Sequence, residues 1–127
     1  KTDPQYERSA EAYDFLASQA DAHGRRLEVI RIHQPDPILI RAEESAGVDA
    51  VDGTLPRRAG YRLSAAYINF YFCTEAVITP MFDDPHDAQA FAVLQHQLPG
   101  RTVVGVPARE ILLGGGNIHC ITQQQPV

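Results

Sequence analysis

The chain has 127 residues, 44% hydrophobic and 21% charged, with a net charge of −5. That length suits one modest domain or one part of a larger one, and that balance excludes a disordered chain. The acidic excess argues against a nucleic-acid partner, because phosphate backbones are gripped by basic surfaces; it fits a cationic small molecule and simple solubility equally well.

No apolar run approaches the length of a membrane span. The opening Lys1-Thr2-Asp3-Pro4 leads straight into polar sequence without the profile of a signal peptide, and the first residue is not Met, so the chain reads as one that begins mid-sequence or has been trimmed. Cysteine use is limited to Cys73 and Cys120, too few for a disulfide framework. With no Cys-x-x-Cys pair and five scattered histidines, no metal centre is expected. A reduced, cytoplasmic compartment is the default.

Asp3-Pro4 reads as a helix start, with Asp capping and Pro at the first helical position. Tyr6, Ala10, Tyr13, Leu16, Ala17 and Ala20 follow at helical spacing, with Gly24 as the stop. Leu27 to His33 alternates and reads as a strand. Residues 34–65 are punctuated by Pro35, Pro37, Gly47, Gly53, Pro56 and Gly60. They read as a long connection with short local structure around Arg41 to Ser45, either functional or a surface insertion.

Regular structure returns at Ala66 to Phe72, an aromatic strand, and at Ala76 to Pro80, a second, with Cys73-Thr74-Glu75 turning between them. Asp84 caps a helix, with Asp87 reaching back; Ala88, Phe91, Leu94 and Leu98 line one face, and Pro99-Gly100 ends it. Thr102 to Val106 is a short buried strand, and Pro107 starts a brief helical turn through Leu112. From residue 66 the order is strand, strand, helix, strand. Such a unit cannot cover both faces of its sheet and needs neighbours. The chain therefore divides into the end of one repeat (1–33), the long connection (34–65), a ββαβ unit (66–106) and a cysteine-bearing segment (107–127).

The densest chemical signal is Leu113-Gly114-Gly115-Gly116-Asn117-Ile118-His119-Cys120-Ile121-Thr122-Gln123-Gln124. Consecutive glycines let a backbone approach a ligand closely. A cysteine entering an extended segment behind them is placed to attack an electrophile, provided its surroundings favour the thiolate. The residues alone also allow a glycine turn ahead of an edge strand with a buried thiol. His119 is set aside as a base, since neighbours on an extended segment face opposite ways. His23, His33, His86 and His96 read as structural or solvated. Asp83, Asp84 and Asp87 read as a helix N-terminus, where negative charge is favoured, before a paired-carboxylate site. Cys73 reads as a buried thiol ending an apolar strand.

The segment Pro107 to Gln124 (PAREILLGGGNIHCITQQ) resembles the C-terminal signature of agmatine deiminases, within the broader bacterial-type peptidylarginine deiminase family. DPQYERSAEAYD (Asp3 to Asp14), VDG near Asp52, AAYINFYF and FDDPHDAQA (Phe82 to Ala90) agree in order and spacing, so the resemblance covers nearly the whole chain. It implies an α/β fold of pseudo-fivefold ββαβ units, a pentein-like propeller, incomplete in this chain. It implies hydrolysis of agmatine's guanidinium to N-carbamoylputrescine and ammonia, a step in putrescine biosynthesis, without metal or organic cofactor. Its motif places the nucleophile at Cys120 and makes Gly114, Gly115, Gly116 and Asn117 the loop shaping the pocket. The family's catalytic histidine lies in a Gly-His-x-Asp motif that these residues lack, and its guanidinium-holding carboxylates are also mainly upstream, so the chain alone is expected to be inactive; a partial propeller also leaves strand edges and apolar faces uncovered, so it is expected to be only marginally stable. Similar enzymes are often homodimers. A peptidylarginine or other guanidino substrate, and a truncated chain acting as a non-catalytic binding or assembly module, are the alternatives.

Overall fold

The computed structural model describes residues 3–125. The chain forms two compact units, residues 1–31 and residues 32–127.

The first unit is helix α1 (Tyr6–Ala17) followed by a tight turn. Asp3 starts it as the sequence indicates: its carboxylate accepts the Gln5 N–H at 2.7 Å and its carbonyl accepts the Tyr6 N–H at 2.9 Å. The helix ends before Ala20. Asp21 takes over there, with one carboxylate oxygen accepting the amide N–H groups of His23 and Arg25, each at 2.9 Å. Gly24 (φ 76°) closes the reversal, and Ala20 bridges Arg26. The strand expected at Leu27 to His33 does not form; beyond that bridge no ladder partner among the described residues engages this segment. A strand is a pairing, and alternation without a partner leaves only extended chain. No residue of α1 is buried.

In the second unit, the long connection is not a disposable insertion. It holds helix α2 (Ala42–Ala46), near the place expected. Glu44 reaches back to the Arg41 N–H at 2.7 Å, the carboxylate half of an N-terminal capping arrangement. Leu39 bridges Arg62, and Ile40, Leu63 and Ala65 form a buried cluster with Leu112.

The regular part is a ββαβ unit: strand β1 (Tyr71–Phe72), strand β2 (Ala76–Met81), helix α3 (Asp87–Gln97) and strand β3 (Thr102–Pro107). The sheet order is β1-β2-β3. β1 pairs antiparallel with β2, and β2 runs parallel to β3 with Val77 opposite Val103 and Thr79 opposite Gly105. The Cys73 N–H donates to the Ala76 carbonyl at 2.8 Å, closing the expected turn. Asp84 and Asp87 cap α3 reciprocally, Asp84 accepting the His86 N–H at 2.8 Å and Asp87 accepting the Asp84 N–H at 3.2 Å. The helix buries Ala90 and Leu94; Ala88, expected on that face, is exposed. α3 lies on β3 because Gly105 has no side chain: a Cβ there would sit 2.6 Å from the Phe91 ring. Helix α4 (Arg109–Leu113) follows, with Leu112 buried beneath it.

The expected strand Ala66 to Phe72 is shortened to two residues. The Asn69 N–H turns back to the Ala66 carbonyl at 3.2 Å. Tyr67, 1% exposed, points inward, and its carbonyl accepts the Thr79 hydroxyl at 2.9 Å instead of a ladder N–H. That turn brings Asn69 to the cysteine loop.

Candidate functional site

Cys120 lies in a single 3-10 turn, His119–Ile121, and not in the extended segment expected. The turn follows α4 by way of Gly114, Gly115 and Gly116. Gly115 takes φ 95°, a left-handed conformation that side-chain-bearing residues disfavour. Gly116 is a matter of space: a Cβ there would come within 2.7 Å of the Cys120 Cβ. Of the three glycines, Gly116 is the one packed against Cys120; Gly115 lies against Arg57 and Gly114 against the Ile111 carbonyl.

The thiol is exposed, which removes the edge-strand alternative with its buried sulfur. The Asn69 side-chain amide donates to Cys120 Sγ at 3.3 Å, and its carbonyl oxygen accepts the His119 backbone N–H at 2.8 Å. One amide therefore fixes the turn and faces the sulfur. The Asn69 side chain, then the Asn117 backbone N–H, hold the Cys120 thiol below its ordinary value, because donors aimed at sulfur favour the anion. A lowered thiol of this kind is what a nucleophile needs.

Asn117 is fully buried. Its side-chain oxygen accepts the Ile118 N–H at 2.8 Å, while its Nδ2 has no partner among the described residues. The geometric reason for setting aside His119 does not hold in a 3-10 turn, where successive side chains are about 120° apart. Among the described residues, hydrogen bonds to the thiol come from Asn69 and backbone amides, with no histidine ring among them.

Asn69 escaped the sequence reading. The available signal was an amide within the aromatic run AYINFYF, since a polar side chain in an apolar run requires a partner. Arg57 was missed as well: its Nε donates to the Leu113 carbonyl at 2.9 Å and its terminal nitrogen to the Gly114 carbonyl at 3.2 Å. The aspartates stay apart from the thiol's partners. Burial pushes Asp84 up, but the amide N–H groups of His86 and Asp36 and the His86 ring outweigh it and hold the carboxyl below its usual range. Asp36, Asp84 and His86 do place one donor atom each within 4.8 Å of one another, a grouping the scattered histidines did not suggest. Both Asp84 oxygens there accept N–H groups of the cap and of Asp36. His33 stacks on His86 with centroids 3.7 Å apart, and His96 is exposed, as expected.

The model of the Porphyromonas-type peptidyl-arginine deiminase family matches residues 1–126. The chain belongs to that family. A Listeria monocytogenes relative is 61% identical over 126 residues, covering 99% of this chain and 35% of the relative. A Medicago truncatula protein named agmatine deiminase is 53% identical over 128 residues, covering 99% of this chain and 34% of that protein. Among solved structures, an agmatine deiminase of Enterococcus faecalis superposes with a TM-score of 0.92 at 38% identity, covering 99% of this chain and 34% of that one. The chain thus spans about a third of the length of these family members. No helix among the described residues is long and apolar enough to cross a membrane.

Proposed function

We propose that the chain supplies the nucleophilic thiol of an agmatine deiminase, with Cys120 attacking the guanidinium carbon of agmatine. The observation that carries this is an exposed thiol held in its more acidic form by Asn69 and the Asn117 amide, within a chain whose similar proteins bear that name. A guanidinium carbon is a poor electrophile because its charge is delocalised. Carboxylates elsewhere in the full-length protein hold the cation and localise that charge. The thiolate adds to carbon, a histidine outside these residues protonates the departing ammonia, and an amidino-cysteine remains. Water, deprotonated by the same histidine, adds in turn, and the thiolate leaves to release N-carbamoylputrescine. The bound cation adds its own charge to the stabilisation of the thiolate. On this reading the ββαβ unit is one of five around a central site.

The family description, which names peptidyl-arginine, favours a second substrate, and one assay separates the two. Ammonia release by the full-length protein is measured on agmatine, free arginine and an arginine-containing peptide, with and without Cys120→Ser. The expected outcome is a preference for agmatine and a loss of at least about a thousandfold on the substitution. Turnover that survives Cys120→Ser overturns the role of the thiol; preference for the peptide replaces the substrate. Residues 1 to 127 alone are expected to show negligible turnover.

A further inference from the structure

We propose that Arg57 is a positioning residue for Cys120, acting from the long connection through the glycine loop. The inference rests on the reading of Cys120 as nucleophile. Arg57 is half-buried, and its guanidinium spans two consecutive carbonyls, those of Leu113 and Gly114, where α4 ends. Carbonyls at a helix C-terminus lack helical partners, and a cation is favoured beside them. An ordinary helix cap would stop there.

Two further facts carry the effect on to the thiol. Gly115, the next residue, lies directly under the Arg57 guanidinium, which a Cβ there would push aside, so the seat of the arginine depends on the glycine. Gly116 is in turn packed against Cys120, where an added Cβ would lie 3.2 Å from Sγ, and the following Asn117 amide faces the sulfur. Arg57, Gly115, Gly116 and Cys120 thus follow one another in close contact. Among the described residues no carboxylate lies within ion-pair distance of Arg57. Its charge is therefore left facing the loop. Arg109, at the other end of α4, is by contrast neutralised by Glu44 at 2.6 Å.

The test compares Arg57→Ala, Arg57→Gln and Arg57→Lys in the full-length protein. Alkylation by iodoacetamide is followed against pH at each cysteine by mass spectrometry, with Cys73 as internal reference. With Arg57→Ala the Cys120 profile is expected to move to higher pH, with alkylation at neutral pH slowed by roughly threefold or more and Cys73 unchanged. Arg57→Lys, which keeps the charge but loses the fork, is expected to fall between Ala and the parent. A profile that stays put for Cys120 while thermal stability drops reduces Arg57 to a helix cap and overturns the proposal. Should Arg57→Ala fail to fold, the Gln and Lys variants decide: Gln must shift the profile more than Lys, and equal profiles overturn it. Alkylation does not require turnover, so the result stands apart from the nucleophile reading, which fails only if Cys120→Ser remains active.

Discussion

The ββαβ unit and the cysteine loop meet at Asn69 and are held together in different ways. The sheet is a repeating ladder: β2 and β3 pair over six positions, from Ala76 opposite Thr102 to Met81 opposite Pro107, and α3 caps itself with aspartates three residues apart. The loop from Leu113 to Ile121 owes its shape to side chains far away in sequence. Arg57, 56 residues before Leu113, holds its start, and Asn69, 50 residues before His119, holds its end. A repetitive backbone pattern tolerates the loss of one contact. A loop fixed at two points does not, and its chemistry fails before its fold does. Substitutions in the two regions should therefore divide between stability and thiol reactivity.

The largest expected effect tests the ground on which both regions stand. Leu112 of α4 is buried with Ile40, Leu63 and Ala65. Leu112→Ala is expected to cost about 2–5 kcal/mol in denaturant unfolding, as buried leucine truncations do when the site cannot collapse. A cost near zero would mean that the connection is as loose as its proline and glycine content suggests, and that it could not hold the loop through Arg57.

A smaller effect is expected inside the ββαβ unit. The Tyr67 hydroxyl donates to Asp87 at 2.7 Å. Burial, then the Asp87 carboxylate, pushes the phenol far above its ordinary value, so it is a protonated donor at neutral pH. Tyr67→Phe is expected to cost about 1–2 kcal/mol, since a hydrogen bond to a charged acceptor is lost while Asp87 keeps the amide N–H groups of Phe82 and Asp84. The Cys120 alkylation profile should not move. A shift of that profile would show that the sheet and the loop are one mechanical unit.

The same contrast explains what the sequence disclosed. Periodicity located β2 and β3 to within a residue of their ends and identified the Asp84 cap, because strands and caps are written in adjacent residues. It misplaced Leu27 to His33 and lengthened the first strand of the unit. Alternation reports that a residue could pair, not that a partner exists, and the turn at Ala66 to Asn69 depends on Tyr67 and Thr79 meeting across 12 residues. The motif around Cys120 singled it out as the candidate thiol. The 3-10 turn that carries it was not legible, and neither were Asn69 and Arg57, whose partners lie 50 residues or more away and leave no local pattern.

The smallest expected effect is the most discriminating, because Asn69 belongs to both regions. Its Nδ2 donates to Cys120 Sγ and its Oδ1 receives the His119 N–H. The donor favours the thiolate, so its removal must raise the thiol pKa. Alkylation, which follows the thiolate, should then need higher pH and slow at neutral pH. Asn69→Ala is expected to cost about 1 kcal/mol or less in stability, with the alkylation profile of Cys120 displaced upward and that of Cys73 unmoved. Asn69→Asp keeps an acceptor for His119 but replaces the donor with negative charge, and should displace the profile further than Ala while preserving the turn. If Asp and Ala displace it equally, the His119 contact and the shape of the turn govern the thiol. If Asp displaces it more, the charge and polarity of the side chain at position 69 govern the thiol, and the loop's acidity is set from the edge of the sheet.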